Sequence, residues 1–109
     1  MLIDFNDMKE ITVSKMNSGT GEISAKMYVD GDGKIIPCRI HKGSSIGMHE
    51  HPTSDDINYV ISGTGKAICD GKEEILAPGS CHICKKGSSH SIINTGDDDL
   101  VILTVVVEK

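Results

Sequence analysis

The chain has 109 residues, 38% hydrophobic and 25% charged, with a net charge of −5. That is enough for one domain with an apolar core and too little for two, in the balance of an ordinary globular protein. The acidic total, with no basic stripe beyond Lys85-Lys86 and Arg39 to Lys42, argues against nucleic acid as a partner. No apolar run approaches the roughly 20 residues of a membrane span, so no membrane association is expected. The N-terminus, MLIDFNDMKE, lacks the basic-then-apolar order of a secretory signal, and a cytoplasmic protein is expected. Phe5, Tyr28 and Tyr59 are the only aromatic residues. Stacking platforms for bases or sugars are therefore few, which points to a small polar ligand.

Residues 1–18 show no clear period, although Ile11-Thr12-Val13 is β-prone and Met8 to Glu10 fits a short helical turn. Gly19-Thr20-Gly21 breaks the chain, and Ile23 to Val29 alternates as a strand does. Asp30-Gly31-Asp32-Gly33 predicts a hairpin turn, because glycine supplies the positive φ of tight turns. Its DxDG pattern is not a calcium loop, since the glutamate such a loop requires at its end is replaced by His41. Lys34 to His41 is the next strand, with Pro37 pointing to an edge or a bulge. Short strands follow at Gly65 to Cys69, Glu73 to Leu76, Cys81 to Cys84 and His90 to Asn94. Leu100 to Val107 is β-branched and nearly continuous, which predicts burial on both faces. About nine short strands, with turns every six to twelve residues or so, describe an all-β sandwich or barrel.

The chemistry concentrates between Gly43 and Gly63. His49 and His51 are two residues apart, so in an extended strand their imidazoles share a face. Pro52 to Asp55 reads as a turn and Asp56 to Ile61 as a strand, so a hairpin here brings Asp56 back beside the histidine pair. Two imidazoles and a carboxylate on a concave face begin a metal site. A third imidazole, His90, opens a β-prone run after the loop Gly87-Ser88-Ser89. Three imidazoles and a carboxylate suit Mn, Fe, Co, Ni, Cu or Zn alike. Asn58 shares parity with Asp56 and should face the same space, either to orient a substrate oxygen or to hold Asp56. His82 shares a face with Cys84 and either lines a substrate pocket or fills a half-buried sheet position. His41 and Arg39 fit a solvated strand face, and Met48 fits packing. Cys81 and Cys84, three apart in a strand, face opposite ways. No second pair completes a zinc set, so the four cysteines are expected as reduced thiols.

Gly43-x5-His49-x-His51-x4-Asp56-x6-Gly63, followed by Gly79-x5-Lys85-x-Gly87-x2-His90-x3-Asn94, resembles the two sequence motifs of the cupins, in the spacing of small single-domain members. The resemblance spans residues 43–94. Asp56 stands where the family has glutamate, and Lys85 where it usually has proline. The resemblance implies a double-stranded β-helix, a jelly-roll barrel, over residues 1–109. It implies one divalent transition metal ion held by His49, His51, Asp56 and His90, with Gly43, Gly63, Gly79 and Gly87 in turns and Asn94 structural. It also implies a homodimer, in which strands of residues 1–29 pair with a partner's sheet edge. Aspartate reaches about 1.5 Å less than glutamate, so either the backbone moves inward, or Asp56 acts through water, or Asp55 takes its place. Family members of this size include dioxygenases, decarboxylases and isomerases acting on small polar molecules. The alternative is a non-catalytic module that binds a small molecule.

Overall fold

The computed structural model describes residues 1–109 as eleven strands with two short 3-10 turns, Phe5–Asp7 and Met16–Ser18. The strands are β1 (Ile11–Ser14), β2 (Glu22–Ala25), β3 (Tyr28–Asp30), β4 (Gly33–Ile40), β5 (Ser45–Glu50), β6 (Ser54–Ser62), β7 (Gly65–Cys69), β8 (Lys72–Leu76), β9 (Cys81–Cys84), β10 (Ser89–Asn94) and β11 (Leu100–Glu108). They form two antiparallel sheets. The larger runs β1-β2-β4-β11-β6-β9, with β3 also on β4, and the smaller runs β5-β10-β7-β8. This is the jelly-roll barrel expected of the motifs. No helix is long and apolar enough to cross a membrane.

Between the sheets, Ile23, Cys38, Ile40, Val60, Ala67, Leu76, Ile92, Leu100 and Ile102 make one buried cluster. Inward-facing apolar residues supply it, two apart on β4 and on β11 and one from each of five other strands, because alternate side chains point to one face. β11 departs from the expected burial on both faces. Leu100, Ile102, Thr104 and Val106 are buried, whereas Val101, Leu103, Val105 and Val107 are only half-buried. In a two-sheet sandwich a central strand has one inner face, and nothing covers the other.

Two further expectations are corrected by strand pairing. Ile23 to Val29 is not one strand but two, interrupted at Lys26-Met27. The break lies opposite Pro37, whose carbonyl accepts from the Lys26 N–H but which has no N–H to return. Pro37 thus sits within β4, between β2 and β11, and marks a gap in the ladder instead of an edge. The segment from His49 to Asp56 is not a hairpin either. β5 pairs with β10 in the smaller sheet, and β6 pairs with β11 and β9 in the larger. The chain crosses between sheets at Pro52, where a residue without an N–H ends the pairing.

The N-terminal segment folds over the barrel. Gly19 and Gly47 approach so closely that a Cβ on either meets backbone, Ser45 O in one case and Asn17 O in the other. This contact seats the second 3-10 turn on β5. At the other end of the segment, Arg39 of β4 pairs with Glu10 and, at 2.7 Å, with Asp99. His41 bonds Asp99 Oδ1 through Nδ1 at 2.9 Å and Ser24 Oγ through Nε2 at 2.7 Å.

Candidate metal centre

His49 and His90 are direct cross-strand partners on β5 and β10, so both imidazoles point to the same face. His51 lies just past β5, held in extended form by its N–H to Ser88 O and by the Gly87 N–H to its own carbonyl. Asp56 enters from the opposite sheet, two residues into β6. His51 Nε2 lies 3.0 Å from His49 Nε2, 3.1 Å from His90 Nε2 and 3.4 Å from Asp56 Oδ2, and His90 Nε2 lies 3.0 Å from Asp56 Oδ2. All four atoms are within 4.8 Å of one another.

Hydrogen-bond partners fix which ring nitrogens carry protons. His49 Nδ1 is 2.7 Å from Gly47 O, which can only accept, so Nδ1 holds the hydrogen and Nε2 presents a lone pair. His82 Nδ1 donates to the Glu74 carboxylate at 2.6 Å, leaving His82 Nε2 as an acceptor. His90 Nδ1 donates to that acceptor at 2.8 Å, so His90 Nε2 also presents a lone pair. Burial is the largest influence on His51 and, with His49 and His90 adding to it and Asp56 opposing, holds its pKa below the ordinary value. Burial alone would raise the Asp56 carboxyl, but the close polar contacts of His90 and Asn58 outweigh it and hold that pKa low. The result is a group in which His49 and His90 turn lone pairs, and Asp56 a carboxylate oxygen, toward His51 Nε2.

Such an arrangement is satisfied by a cation. Two donors about 2.1 Å from a shared ion are ~3.0 Å apart at a right angle and ~3.4 Å apart at the tetrahedral angle. The separations of 3.0 to 3.4 Å fall in that range. The donor set therefore fits a divalent transition metal. Asp56 reaches the group directly despite its shorter side chain, because β6 approaches from the facing sheet. Asp55 points elsewhere: its carboxylate accepts the Lys86 N–H at 2.8 Å and lies 3.5 Å from Lys109 and 3.8 Å from Lys85.

Asn58 faces the cavity, as parity requires, and of the two roles expected for it the hydrogen bonds show the hold on Asp56. Its Nδ2 donates to Asp56 Oδ2 at 3.1 Å, and its Oδ1 accepts from Thr104 at 2.7 Å. His82 is placed differently from the expectation of a pocket wall. It is 2% exposed and lies on the far edge of His90, against Nδ1, reaching it from β9 at the edge of the facing sheet. Glu74 and Thr104 carried no sequence signal. Glu74 sits on a strand that reads as exposed, and Thr104 is one polar residue in an apolar run. Met48 is exposed, and Cys81 and Cys84 face opposite ways, exposed and buried respectively. All four cysteines are free thiols, and burial pushes Cys38 and Cys84 up to about 12.

The four-residue group forms one end of a cavity of about 450 Å3. Eleven of its nineteen lining residues are hydrophobic, among them Met16, Ile36, Ile46 and Val106, so the space is largely apolar away from the four-residue group. Lys34, on the inner face of β4, is the lining cation. His41 does not reach the cavity.

Residues 38–106 match the Cupin_2 family model, described as a cupin domain. The chain is 28% identical to an oxalate-binding protein of Thermotoga maritima over 113 residues, 98% of this chain and 93% of that one. The crystal structure of a predicted oxalate decarboxylase from Thermotoga maritima superposes with a TM-score of 0.93 at 27% identity, over 100% of both chains. The pectin degradation protein KdgF of Dickeya dadantii is 25% identical over 83 residues, 75% of this chain and 76% of that one.

Proposed function

On the premise that the chain belongs to the cupin domain family, we propose that it is a metal-dependent enzyme acting on a small molecule in the barrel cavity, by dioxygenase, decarboxylase or isomerase chemistry. The observation that carries this reading is the convergence of three imidazole nitrogens and a carboxylate oxygen within 4.8 Å of one another, with His49 and His90 each turning a lone pair inward. His49, His51, His90 and Asp56 would hold one divalent transition metal ion (Mn, Fe, Ni, Cu, Co or Zn). When bound, such an ion supplies Lewis acidity toward a substrate oxygen. Around it, Asn58 and Thr104 hold the Asp56 carboxylate, while Glu74 and His82 hold His90 in the required tautomer. The apolar walls exclude water from the remainder of the space.

Elemental analysis of tag-free protein tests the ligand set. About one ion per chain is expected for the wild type, and none for His51→Ala or His90→Ala, if those rings are ligands. A second reading, a non-catalytic binding module, draws support from the relative named an oxalate-binding protein. Incubation of metal-loaded protein with oxalate and with 2-oxo acids, with and without dioxygen, separates the two. Product formation supports the enzyme, and recovery of unaltered bound ligand supports the module.

The same reading takes residues 1–109 as one domain that forms a homodimer. β1, exposed at all four residues, is the open edge of the larger sheet where a partner strand can add. Light scattering that finds only an 11.7 kDa species removes the dimer.

A further inference from the structure

The geometry points to a ligand with an apolar body and a single anionic oxygen head, such as a 2-oxo acid with a branched or aromatic side chain. This rests on the metal reading above and names the substrate class of that site. The four converging side chains occupy one end of the cavity. Asn58 and Thr104, the uncharged polar side chains beside them, are engaged: both polar ends of Asn58 are used, one on Asp56 and the other by Thr104. They have little to offer a second polar group. Lys34 shares a cross-sheet row with Val106 and Asp56, and so stands on the inner face two strands from the carboxylate. One cation near the proposed metal matches one anionic head.

Beyond that end, Met16, Ile23, Ile36, Ile46, Ile92 and Val106 leave a ligand nothing to hydrogen-bond, the exposed Asn17 being the one further uncharged polar side chain of the lining. A hydroxyl or carboxylate pressed against such a wall loses water without replacement, and the cost is larger for a charge. A methylene in the same position gains by leaving water. Size agrees with this. At the ~30 Å3 that a water takes in the liquid, a space of this volume holds roughly 15 non-hydrogen atoms. A bare dicarboxylate leaves more than half of it unfilled, and its second carboxylate faces the apolar wall. A polyhydroxylated sugar acid fills the space but strands its hydroxyls. A 2-oxo acid with an isobutyl or benzyl group places oxygen at the polar end and carbon against the isoleucines.

The test is calorimetry on full-length protein reconstituted with cobalt(II), whose visible spectrum reports ligand entry at the metal. Four probes are compared: phenylpyruvate, 4-methyl-2-oxopentanoate, oxalate and galacturonate. Both keto acids are expected to bind at least tenfold tighter than oxalate or galacturonate and to change the cobalt spectrum. Ile36→Ser should weaken both keto acids about tenfold, with cobalt content and oxalate affinity unchanged, and Ile46→Ser provides a second reading if the first variant folds poorly. Equal or tighter binding of oxalate or galacturonate, or no binding of either keto acid, overturns the inference and leaves the metal reading intact. A wild-type protein that takes up no cobalt, seen by elemental analysis before any probe is added, overturns the metal reading and the inference with it.

Discussion

The protein builds two groups from the same materials, imidazole and carboxylate, and finishes them in opposite ways. Outside the barrel, His41 spends both ring nitrogens, on Ser24 and Asp99, while Arg39 bridges Asp99 and Glu10. Every acceptor there meets a donor. Inside, His49, His90 and Asp56 turn acceptors toward His51 Nε2, and the ring protons of His49 and His90 are committed to the outer side: His49 to Gly47 and His90 to His82. A histidine whose two nitrogens are satisfied is a staple. One whose outer nitrogen is pinned so that its inner lone pair meets others is prepared for a cation. The carboxylates tell the same story. The His41 hydrogen bond, then Arg39, holds Asp99 low, so partners stabilise its charge on the spot. Asp56 keeps its charge against burial, a balance a cation would tip further.

The largest effect that separates the two groups is on metal affinity. His51→Ala or His90→Ala should weaken binding of manganese or cobalt by more than about 100-fold, beyond the usual loss for an outer partner. His41→Ala should leave it unchanged. Calorimetry on the three variants makes the comparison, and an equal loss for His41→Ala would dissolve it.

Next in size is the outer shell of the interior group. His82→Phe removes the acceptor that fixes the His90 tautomer, and metal affinity should fall by about 10- to 100-fold. His82→Gln, whose side-chain carbonyl still accepts, should recover much of that loss. Nitrogen NMR of the His90 ring reads the tautomer directly and should show the proton leaving Nδ1 in a fraction of His82→Phe molecules.

The exterior group should register in stability alone. Arg39→Met should lower the urea midpoint by the equivalent of about 1 kcal/mol or less, since its partners are partly solvated. Metal content should not change.

The smallest effect is the pH dependence of that difference. Glu10 is held low chiefly by its hydrogen bond to Arg39, and Asp99 by His41 and then Arg39. Folded-state values below those of the unfolded chain stabilise the fold fully above about pH 4, and that stabilisation is lost as the pH falls through the folded values. The gap between wild type and Arg39→Met should therefore be constant from neutral pH to about pH 5 and close below about pH 4. A gap that persists at pH 2 would assign Arg39 a packing role instead.

Much of this was legible in the chain. Period-two alternation and regularly spaced turns marked an all-β protein, and glycine, histidine and aspartate at motif spacing marked the residues that meet at one end of the cavity. What was not legible follows from pairing. His49 and His51 share a face by strand parity, which is local, but Asp56 joins them from another sheet, which parity along the chain cannot report. The predicted hairpin failed for this reason. Likewise His82 and Cys84 share a face as parity requires, but whether that face meets open space or the back of His90 depends on how β9 lies against β10.

By itself, then, the sequence determined the strand content, the inward set of each strand and the residue types available for chemistry, because side-chain direction repeats every two residues regardless of neighbours. Only the tertiary structure decided that three imidazoles and Asp56 face one another, that Glu74 and His82 stand behind His90, and that the cavity walls are largely apolar. Those facts are set by which strands are adjacent and how two sheets close on each other. That is a property of contacts between residues distant in the chain, and no local pattern encodes it.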